Sequence, residues 1–328
     1  MPLIGDNVAT LSDVGKRLDK DGKIDKIVEL LSQTNQILED MTFMEGNLPT
    51  GHKTTIRTGL PTAAWRLLNY GVPQSKSRTQ QVTDTCGMLE SYAEVDKALA
   101  DLNGNTAEFR LSEDRAFLQA MNQEMAHTLF YGDTGKNPER FLGLSPRYSS
   151  LNAKVATSDN IIDAGGTAAN ALTSIWLIAW GANTIHGIYP KGSKAGFQHK
   201  DLGEVTLQDG NGGQYQGYRT HYKWDIGLVV RDWRYAVRIA NIDLATITDE
   251  TLVNLLITAS ERLPDESMGR PVWYMNRETR TRVRLAKVNR QNNNVTFDTV
   301  EGKKVMRFDE IPVRRCDALL KTEARVIV

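Results

Sequence analysis

Histidines and cysteines are the side chains here whose spacing could indicate metal binding or nucleophilic catalysis. Cys86 and Cys316 are the only cysteines and lie far apart, which is too few for a disulfide framework and gives no zinc-type pair. Cys86 would need a distant histidine to act as a nucleophile, and a buried structural thiol is the better interpretation. The five histidines lack metal-ligand spacing, at His52, His127, His186, His199 and His221.

Other catalytic motifs are also missing. Gly165 and Gly166 have neither the preceding strand nor the following Lys-Ser/Thr of a phosphate-binding loop, and there is no nucleophile elbow or His-Glu-x-x-His. His127 lies close to Glu124, where a satisfied or exposed histidine is far commoner than a ligand. We therefore expect no enzyme activity, no cofactor and no metal.

The basic run 270–290 is the strongest remaining candidate for chemistry. If the part after Asn276 is helical, four basic residues share one face behind two aromatic residues, a pattern that can bind nucleic acid. They are Arg277, Arg280, Arg284 and Lys287, after Trp273 and Tyr274. Forty basic residues balance forty acidic ones, however, whereas a protein that grips DNA phosphates normally has a basic excess. A solvated face, or one paired with acids of a neighbouring subunit, is the preferred interpretation.

Composition predicts a folded protein of more than one lobe. The chain has 328 residues, with 40% hydrophobic and 24% charged, which is ordinary for a folded protein and long for one core. The first residues lack the apolar segment and cleavage site of a secretory signal. The apolar stretch 175–187 is too short and too interrupted to span a bilayer, so no membrane partner is expected.

Residues 46–83 form the most unusual segment. They include five basic residues but no aspartate or glutamate, and glycine and proline recur throughout. The segment cannot bury a core of its own, yet it is too long for an ordinary connection. We predict a long β-hairpin that leaves the body, with 81–92 as the returning strand. Its apolar residues should be buried against another subunit, at Trp65, Leu67, Leu68 and Tyr70.

Three helices can be predicted from apolar spacing. One covers 24–38 and fades at 44–46, and another covers 248–263. The long one, 112–131, has Ser112 as N-cap, Glu113 and Asp114 at the positive end of its dipole, and Gly132 as its stop. Its apolar stripe is Phe117, Ala120, Met121, Met125, Leu129 and Phe130.

The rest of the chain predicts strands and loops. Runs typical of strands occur at 174–188 and 223–242, separated by a polar insertion or surface hairpin at 192–222. Residues 133–172 are typical of loops, and further strands are expected at 294–308 and 311–315. The fold class is therefore α+β, with two lobes and two extensions.

Six separated blocks resemble, in the same order, the major capsid protein of short-tailed phages of the epsilon-fifteen type. The likeness runs through nearly the whole chain, which makes it more specific than any single motif. The blocks are DKDGKIDKIVELLSQTNQILEDM, EGNLPTGHKTTIRTGLP, NYGVPQSKS, LSEDRAFLQAMNQEMAHTLFYGD, PKGSKAGFQHKDLGEV and GLVVRDWRYAVRIANID.

This resemblance implies a Hong Kong 97-type capsid fold. Its four parts would be an N-terminal arm and helix (1–45), an extended hairpin loop (46–90), a mainly peripheral domain (91–245) and a mainly axial domain (246–328). The peripheral domain would contain a spine helix at 112–131 and an insertion at 192–222. The phrase NPERFLGL is similar to a turn that often follows the spine helix. WYMNRETRTRVRLAKV resembles an axial segment but lies late in the chain, so we expect a permuted element order in which 174–242 lies beside the spine helix.

The resemblance also implies a structural role. Copies would assemble as hexamers and pentamers into an icosahedral virion shell around double-stranded DNA, without sequence specificity, after assembly in the host cytoplasm. Expected partners are a separate scaffolding protein, a portal and a cement or decoration protein. Alternatives are another virion component, such as a portal or tail subunit, or a nucleic-acid-binding protein using 270–290. We predict inter-subunit contacts at Lys53, Arg57, Trp65, Arg66, Tyr70, Glu113 and Asp114, with further acidic candidates at Asp25, Glu29, Glu39 and Asp40.

Overall fold

Thirteen strands joined into one continuous sheet dominate the described part of the chain. A computed structural model describes residues 35–102, 106–209, 211–290, 295–300 and 303–328. The helix predicted at 24–38 lies almost wholly outside these ranges, and the arm is described only from residue 35. Among the described residues, no helix is long and apolar enough to cross a membrane.

The elements follow the chain in a mixed α and β order. The helices are α1 (Ile37–Asp40), α2 (Lys97–Ala100), α3 (Thr106–Tyr131), α4 (Leu144–Arg147), α5 (Asp249–Ser260) and α6 (Arg277–Arg290). The strands are β1 (Phe43–Glu45), β2 (Gly51–Gly59), β3 (Arg78–Asp96), β4 (Ile161–Asp163), β5 (Thr173–Trp180), β6 (Ile185–Tyr189), β7 (Phe197–Gln208), β8 (Gln214–Val230), β9 (Ala236–Ile242), β10 (Arg270–Met275), β11 (Val295–Val300), β12 (Lys303–Phe308) and β13 (Ile311–Arg315).

The main path of the sheet runs β11-β12-β13-β10-β5-β6-β8-β3-β2. Strand β3 belongs to two parts of it, because its first half pairs with β2 and its second half, from Cys86 onward, pairs with β8. Strand β8 pairs in turn with β7, so the predicted insertion at 192–222 contains all of β7 and the first half of β8, which form a long hairpin. The outlying hairpin β2–β3 is therefore an extension of the same sheet that forms the body.

Strand β5 is buried along its whole length and separates two cores. Trp176 and Ile178 face the apolar side chains at the end of α3, whereas Ile175 and Leu177 face α5 and α6. Alternate side chains of a strand point to opposite faces, so a strand covered on both sides is a continuous apolar run rather than an alternating one. One strand thus contributes to both cores.

The long helix α3, called the spine helix below, begins earlier than predicted. It starts at Thr106 rather than at 112, so Ser112 is not an N-cap and Glu113 and Asp114 are not in the first turn. The preceding residues are good helix formers, and Phe109 is buried against the end of β3, which extends the helix. The end at Tyr131 before Gly132 is confirmed. Met121, Met125, Leu129 and Phe130 are buried as predicted, but Ala120 is exposed.

The other helices agree well with the sequence patterns. Thr248 caps α5 by accepting a hydrogen bond from the Thr251 amide, and Asn276 accepts one from the Thr279 amide at the start of α6. The strand-like stretches at 174–188 and 223–242 each contain more than one strand, because turns interrupt the apolar runs. The predicted contact of 174–242 with the spine helix occurs on one face only, since the other carries α5 and α6. The permuted element order and the domain boundaries remain hypotheses.

Candidate functional site

The hairpin β2–β3 carries a large apolar surface that its own chain does not cover. Its strands pair antiparallel from Gly51 opposite Thr85 to Gly59 opposite Arg78, which leaves 60–77 as the tip. Trp65 is fully exposed, at 105% of its reference area. The other exposed apolar side chains of the tip are Leu60, Leu67, Leu68, Tyr70 and Val72. So much exposed apolar area in one thin segment is typical of an interaction surface.

A buried ion pair attaches the base of the hairpin to the body. Arg147, the last residue of α4, donates from Nη2 to Asp84 Oδ1 at 2.7 Å, and the Asp84 side chain is only 4% exposed. The same nitrogen lies 3.2 Å from the Leu228 carbonyl oxygen of β8. The pair therefore connects β3, α4 and β8 at the point where the hairpin leaves the sheet.

A second group under the hairpin base consists of two histidines and an arginine. The rings of His52 and His186 lie edge to face with centroids 6.0 Å apart, and His186 is fully buried. Neither ring nitrogen of His186 makes a hydrogen bond to a described residue. The Gly181 backbone lies close enough to raise the pKa of His186 slightly, but larger effects oppose it. Burial, together with His52 and Arg231, lowers the pKa of His186 to about 4. Burial and Arg231 also lower the pKa of His52, against a smaller opposing effect of Asp84.

This histidine pair predicts an acid-sensitive hairpin base. Between pH 6.5 and about 4, the unfolded chain binds a proton at His186 that the folded chain does not, so stability falls as the pH falls through that window. The shift corresponds to at most about 3 kcal/mol. We expect the His186→Phe variant to lose less unfolding free energy than the wild type between pH 7 and pH 4.5, as measured by urea titration. His199→Gln, at an exposed position, should behave like the wild type; equal pH dependence in all three proteins would contradict the assignment.

The predicted contact residues do not meet within one chain. Lys53, Arg57 and Arg66 are exposed on the hairpin. Glu113 and Asp114 lie in the first half of the spine helix, where Asp114 accepts a hydrogen bond from the Tyr222 hydroxyl. The hairpin residues Trp65 and Tyr70 are likewise exposed, and whether any of the seven contacts a second subunit stays a prediction.

Asp40 was assigned to an acidic docking surface, and that assignment is wrong. Its side chain is 4% exposed and accepts hydrogen bonds at 3.1 Å from both Nε and Nη2 of Arg314. Tyr274 donates to it as well, at 3.2 Å. Asp40 therefore fixes α1 to strands β10 and β13. Glu39 is exposed, and Asp25 and Glu29 lie outside the described residues.

The basic run 270–290 is partly used inside the chain. Arg277 pairs with Asp317 at 3.2 Å, and the Arg284 guanidinium lies over the Phe297 ring. Arg280 is half-buried, and burial together with the neighbouring Arg284 and Arg315 lowers its pKa. The Lys287 side chain lies outside the described residues. Intrachain pairing and burial leave a smaller free basic face than the sequence predicted.

Burial disfavours the charged forms of both Cys86 and His127. Burial, Asp225 and Asp84 raise the pKa of the Cys86 thiol to about 11, which opposes thiolate formation. His127 is half-buried on the spine helix, and desolvation lowers its pKa. Within the described residues, no group of three or more His, Cys, Asp or Glu side chains is placed to hold a metal ion.

Sequence reasoning missed the two buried ion pairs that organise the body. Arg147 with Asp84 fixes the hairpin, and Arg238 with Glu323 fixes the C-terminal segment at 2.8 Å, with both side chains 5% exposed. Apart from Asn241, the other residues of the strand that contains Arg238 are apolar, a signal that could have indicated a buried charge needing a partner. No comparable signal identifies Glu323 or Arg147.

The chain is similar to phage capsid proteins in both sequence and structure. The family model described as major capsid protein GP7 matches residues 19–327. A chain from the near-atomic structure of bacteriophage epsilon15 is 38% identical, with 100% of this chain and 99% of that chain covered and a TM-score of 0.76. The bacteriophage JBD30 capsid is 10% identical, with 88% and 93% covered and a TM-score of 0.49. The capsid of a native GTA particle is 10% identical, with 71% and 98% covered and a TM-score of 0.46. No curated protein matches the chain.

Proposed function

This chain belongs to the GP7 family of major capsid proteins, and from that premise we propose that its copies form hexamers and pentamers of an icosahedral phage shell through the hairpin β2–β3. The expected α+β capsid fold of the Hong Kong 97 type is confirmed, and so is the role of capsid subunit. The family is structural, and we propose that the chain has no catalytic activity. The portal and tail alternatives are set aside by the family match.

The observation that carries the proposal is the exposed tip at 60–77. Trp65 and Leu68 are 105% and 86% exposed, on a segment that has no acidic residue and no core of its own. Burying such side chains against a neighbour removes apolar area from water at roughly 25 cal/mol per Å². Closed symmetry repeats this contact around each ring, so individually weak contacts add up to a stable shell.

The charges of the hairpin support the same arrangement. Lys53, Arg57 and Arg66 project from a segment without acids, so an acidic surface of a neighbour would be complementary. Glu113 and Asp114 on the spine helix are our candidates for that surface. The Asp114 carboxylate already accepts a hydrogen bond from Tyr222, so it would have to bind a hairpin arginine or lysine while keeping that bond.

Further partners are proposed from the same role. A separate scaffolding protein would guide assembly in the host cytoplasm, a portal would occupy one vertex, and a cement or decoration protein would bind outside. Packaged double-stranded DNA would contact the shell without sequence specificity. The zero formal net charge suits a wall that encloses DNA without binding it tightly.

Charge reversal on the hairpin tests the proposal. We expect Arg57→Glu and Arg66→Glu to fold normally, because both side chains are exposed, but to reduce the yield of shells or tubes at least tenfold. Negative-stain imaging of the overexpressed protein measures the yield, and circular dichroism and urea unfolding measure the fold.

Lys154→Glu is the matched control, since it changes the net charge equally at an exposed site outside the hairpin. It should assemble as the wild type does. Normal shells from both arginine variants would show that hairpin charge plays no part in assembly. Failure of the wild type to form any closed shell or tube would count against the assembly proposal itself.

A further inference from the structure

A half-open cavity of about 230 Å³ lies between the spine helix, strand β3 and the loop 139–141. Its apolar part includes the buried side chains of Met125, Phe141 and Ile226. Its polar lining includes Glu124, Glu139 and Arg140. An apolar floor with a few polar groups around it is the usual form of a pocket that binds a side chain or small ligand.

The backbone around Gly87 gives the cavity its shape. A Cβ atom at this position would lie 3.2 Å from the Glu139 carbonyl oxygen and 3.4 Å from the Phe141 amide nitrogen, tighter than ordinary contact. Glycine therefore lets the loop 139–141 lie directly against β3. The adjacent Met88 also lines the cavity and is 71% exposed, which adds apolar surface on its solvent side.

The chain does not fill this cavity with its own hairpin tip. Trp65 is fully exposed, and the paired strands lead away from Gly87. Gly51 pairs with Thr85, two residues before Gly87. The eight residue steps from Gly51 to Gly59 cover roughly 26 Å at 3.3 Å per residue. A tip residue that enters the cavity must therefore come from a second copy of the chain.

Size and charge both favour that occupant. Trp65 is the largest exposed apolar side chain of the tip, and an indole is the kind of rigid anchor that dominates protein interfaces. Arg66 follows it directly. At the cavity, Glu124 pairs with Arg140 at 2.8 Å, whereas Glu139 is exposed and makes no ion pair with a described residue. One negative charge thus remains for the incoming arginine.

We propose that Trp65 of one copy inserts into the cavity of a second copy, with Arg66 beside Glu139. The inference rests on the proposed shell function and specifies its contact. Because the tip and the cavity are different surfaces, the contact is heterologous: each copy gives its tip to one neighbour and receives the tip of another. Such contacts close into rings when the rotation between neighbours permits.

Crosslinking tests the contact without removing the tryptophan. In a Cys86→Ser background, Ala64→Cys and Met88→Cys place exposed thiols beside the anchor and at the cavity. We expect a short bis-maleimide to link assembled subunits into covalent oligomers on denaturing gels. The linked fraction should be at least tenfold above that of the control pair Ala64→Cys and Glu261→Cys, since Glu261 directly follows α5, which packs on the opposite face of the sheet from the cavity.

Equal linking in the two pairs, in shells that form normally, would overturn the proposal and leave the shell function intact. Absence of shells in the parent protein would count against the proposed function instead.

A charge swap provides a second, independent readout. Arg66→Glu should reduce shell yield, and adding Glu139→Arg should restore most of it, because the pair is remade with reversed sign. Adding Glu261→Arg changes the net charge equally at a remote exposed site and should restore nothing. Equal rescue by both second substitutions, or none by Glu139→Arg, would overturn the pairing of Arg66 with Glu139.

Discussion

Replacing Glu323 with alanine is expected to lower the free energy of unfolding by about 3–5 kcal/mol, the usual cost of removing one partner of a buried ion pair. Arg238 is 5% exposed at its side chain and would keep only Ser174 Oγ and the Tyr148 carbonyl oxygen as acceptors. The Tyr131 hydroxyl, 2.5 Å from Glu323 Oε1, would lose its acceptor too. Guanidinium unfolding followed by circular dichroism measures the change.

A surface pair on the same segment is the control for this prediction. Lys321 and Glu278 form an ion pair whose side chains are 49% and 56% exposed, so Glu278→Ala should cost less than about 1 kcal/mol. A double variant, Arg238→Met with Glu323→Leu, should be clearly more stable than Glu323→Ala because it leaves no buried charge. If Glu323→Ala cost no more than Glu278→Ala, the carboxylate would not be holding Arg238.

This ion pair lies beside the strands that the two cores share. Arg238 lies in β9, which pairs with β5, and β5 contributes side chains to both cores. Glu323 belongs to the C-terminal segment that crosses the end of the spine helix at Tyr131. The pair therefore joins the shared part of the sheet to the spine helix.

The hairpin was predictable from sequence because its signal is compositional. A segment of 38 residues without acid and with sparse apolar residues cannot form a core, whatever its exact conformation. The α5 helix was predictable for a local reason, since Thr248 caps it and Pro264 follows soon after its end. Both features depend on residues that are close in the chain.

The start of the spine helix was not predictable in the same way. Ser112 followed by two acids is a good N-cap pattern, but Phe109 packs against Val95 and Ala100, and that tertiary contact extends the helix beyond it. The burial of Asp40 was also unpredictable because it depends on a tertiary contact. Its partner Arg314 lies 274 residues away, so an acid predicted to form part of an inter-subunit contact surface is in fact a buried anchor. Pairing over such separations has no local signature.

In the candidate site too, features that depend on neighbouring residues could be predicted, whereas those that depend on distant contacts could not. Exposed tip residues such as Trp65 could be named from sequence, because a tryptophan in a core-poor segment must be buried elsewhere. The cavity proposed to receive it is formed by four separate segments of the chain, near Gly87, Met125, Phe141 and Ile226. Only the fold brings them together, so no pattern of spacing could have indicated it.

Replacing Arg147 with alanine should loosen the hairpin base at a local cost of about 3–5 kcal/mol. Asp84 would then be a carboxylate that is 4% exposed, without its partner and beside β8. The cheapest way to hydrate it is to open the pairing of β2 with β3 around His52. We expect amide hydrogen exchange to rise in 51–59 and 78–86, while β5 and β9 keep their protection.

Two variants separate this mechanism from a general loss of stability. Adding Asp84→Asn to Arg147→Ala should restore much of the protection, because a neutral amide is far less costly to bury than an unpaired charge. Lys97→Ala, which breaks a pair with Glu204 whose side chains are 38% and 43% exposed, should leave the hairpin unchanged. Because a loosened base no longer directs the tip toward a neighbour, shell yield should fall with Arg147→Ala and recover with the double variant. If amide hydrogen exchange in the hairpin of Arg147→Ala were as slow as in the wild type, the ion pair would not be what holds the hairpin in place.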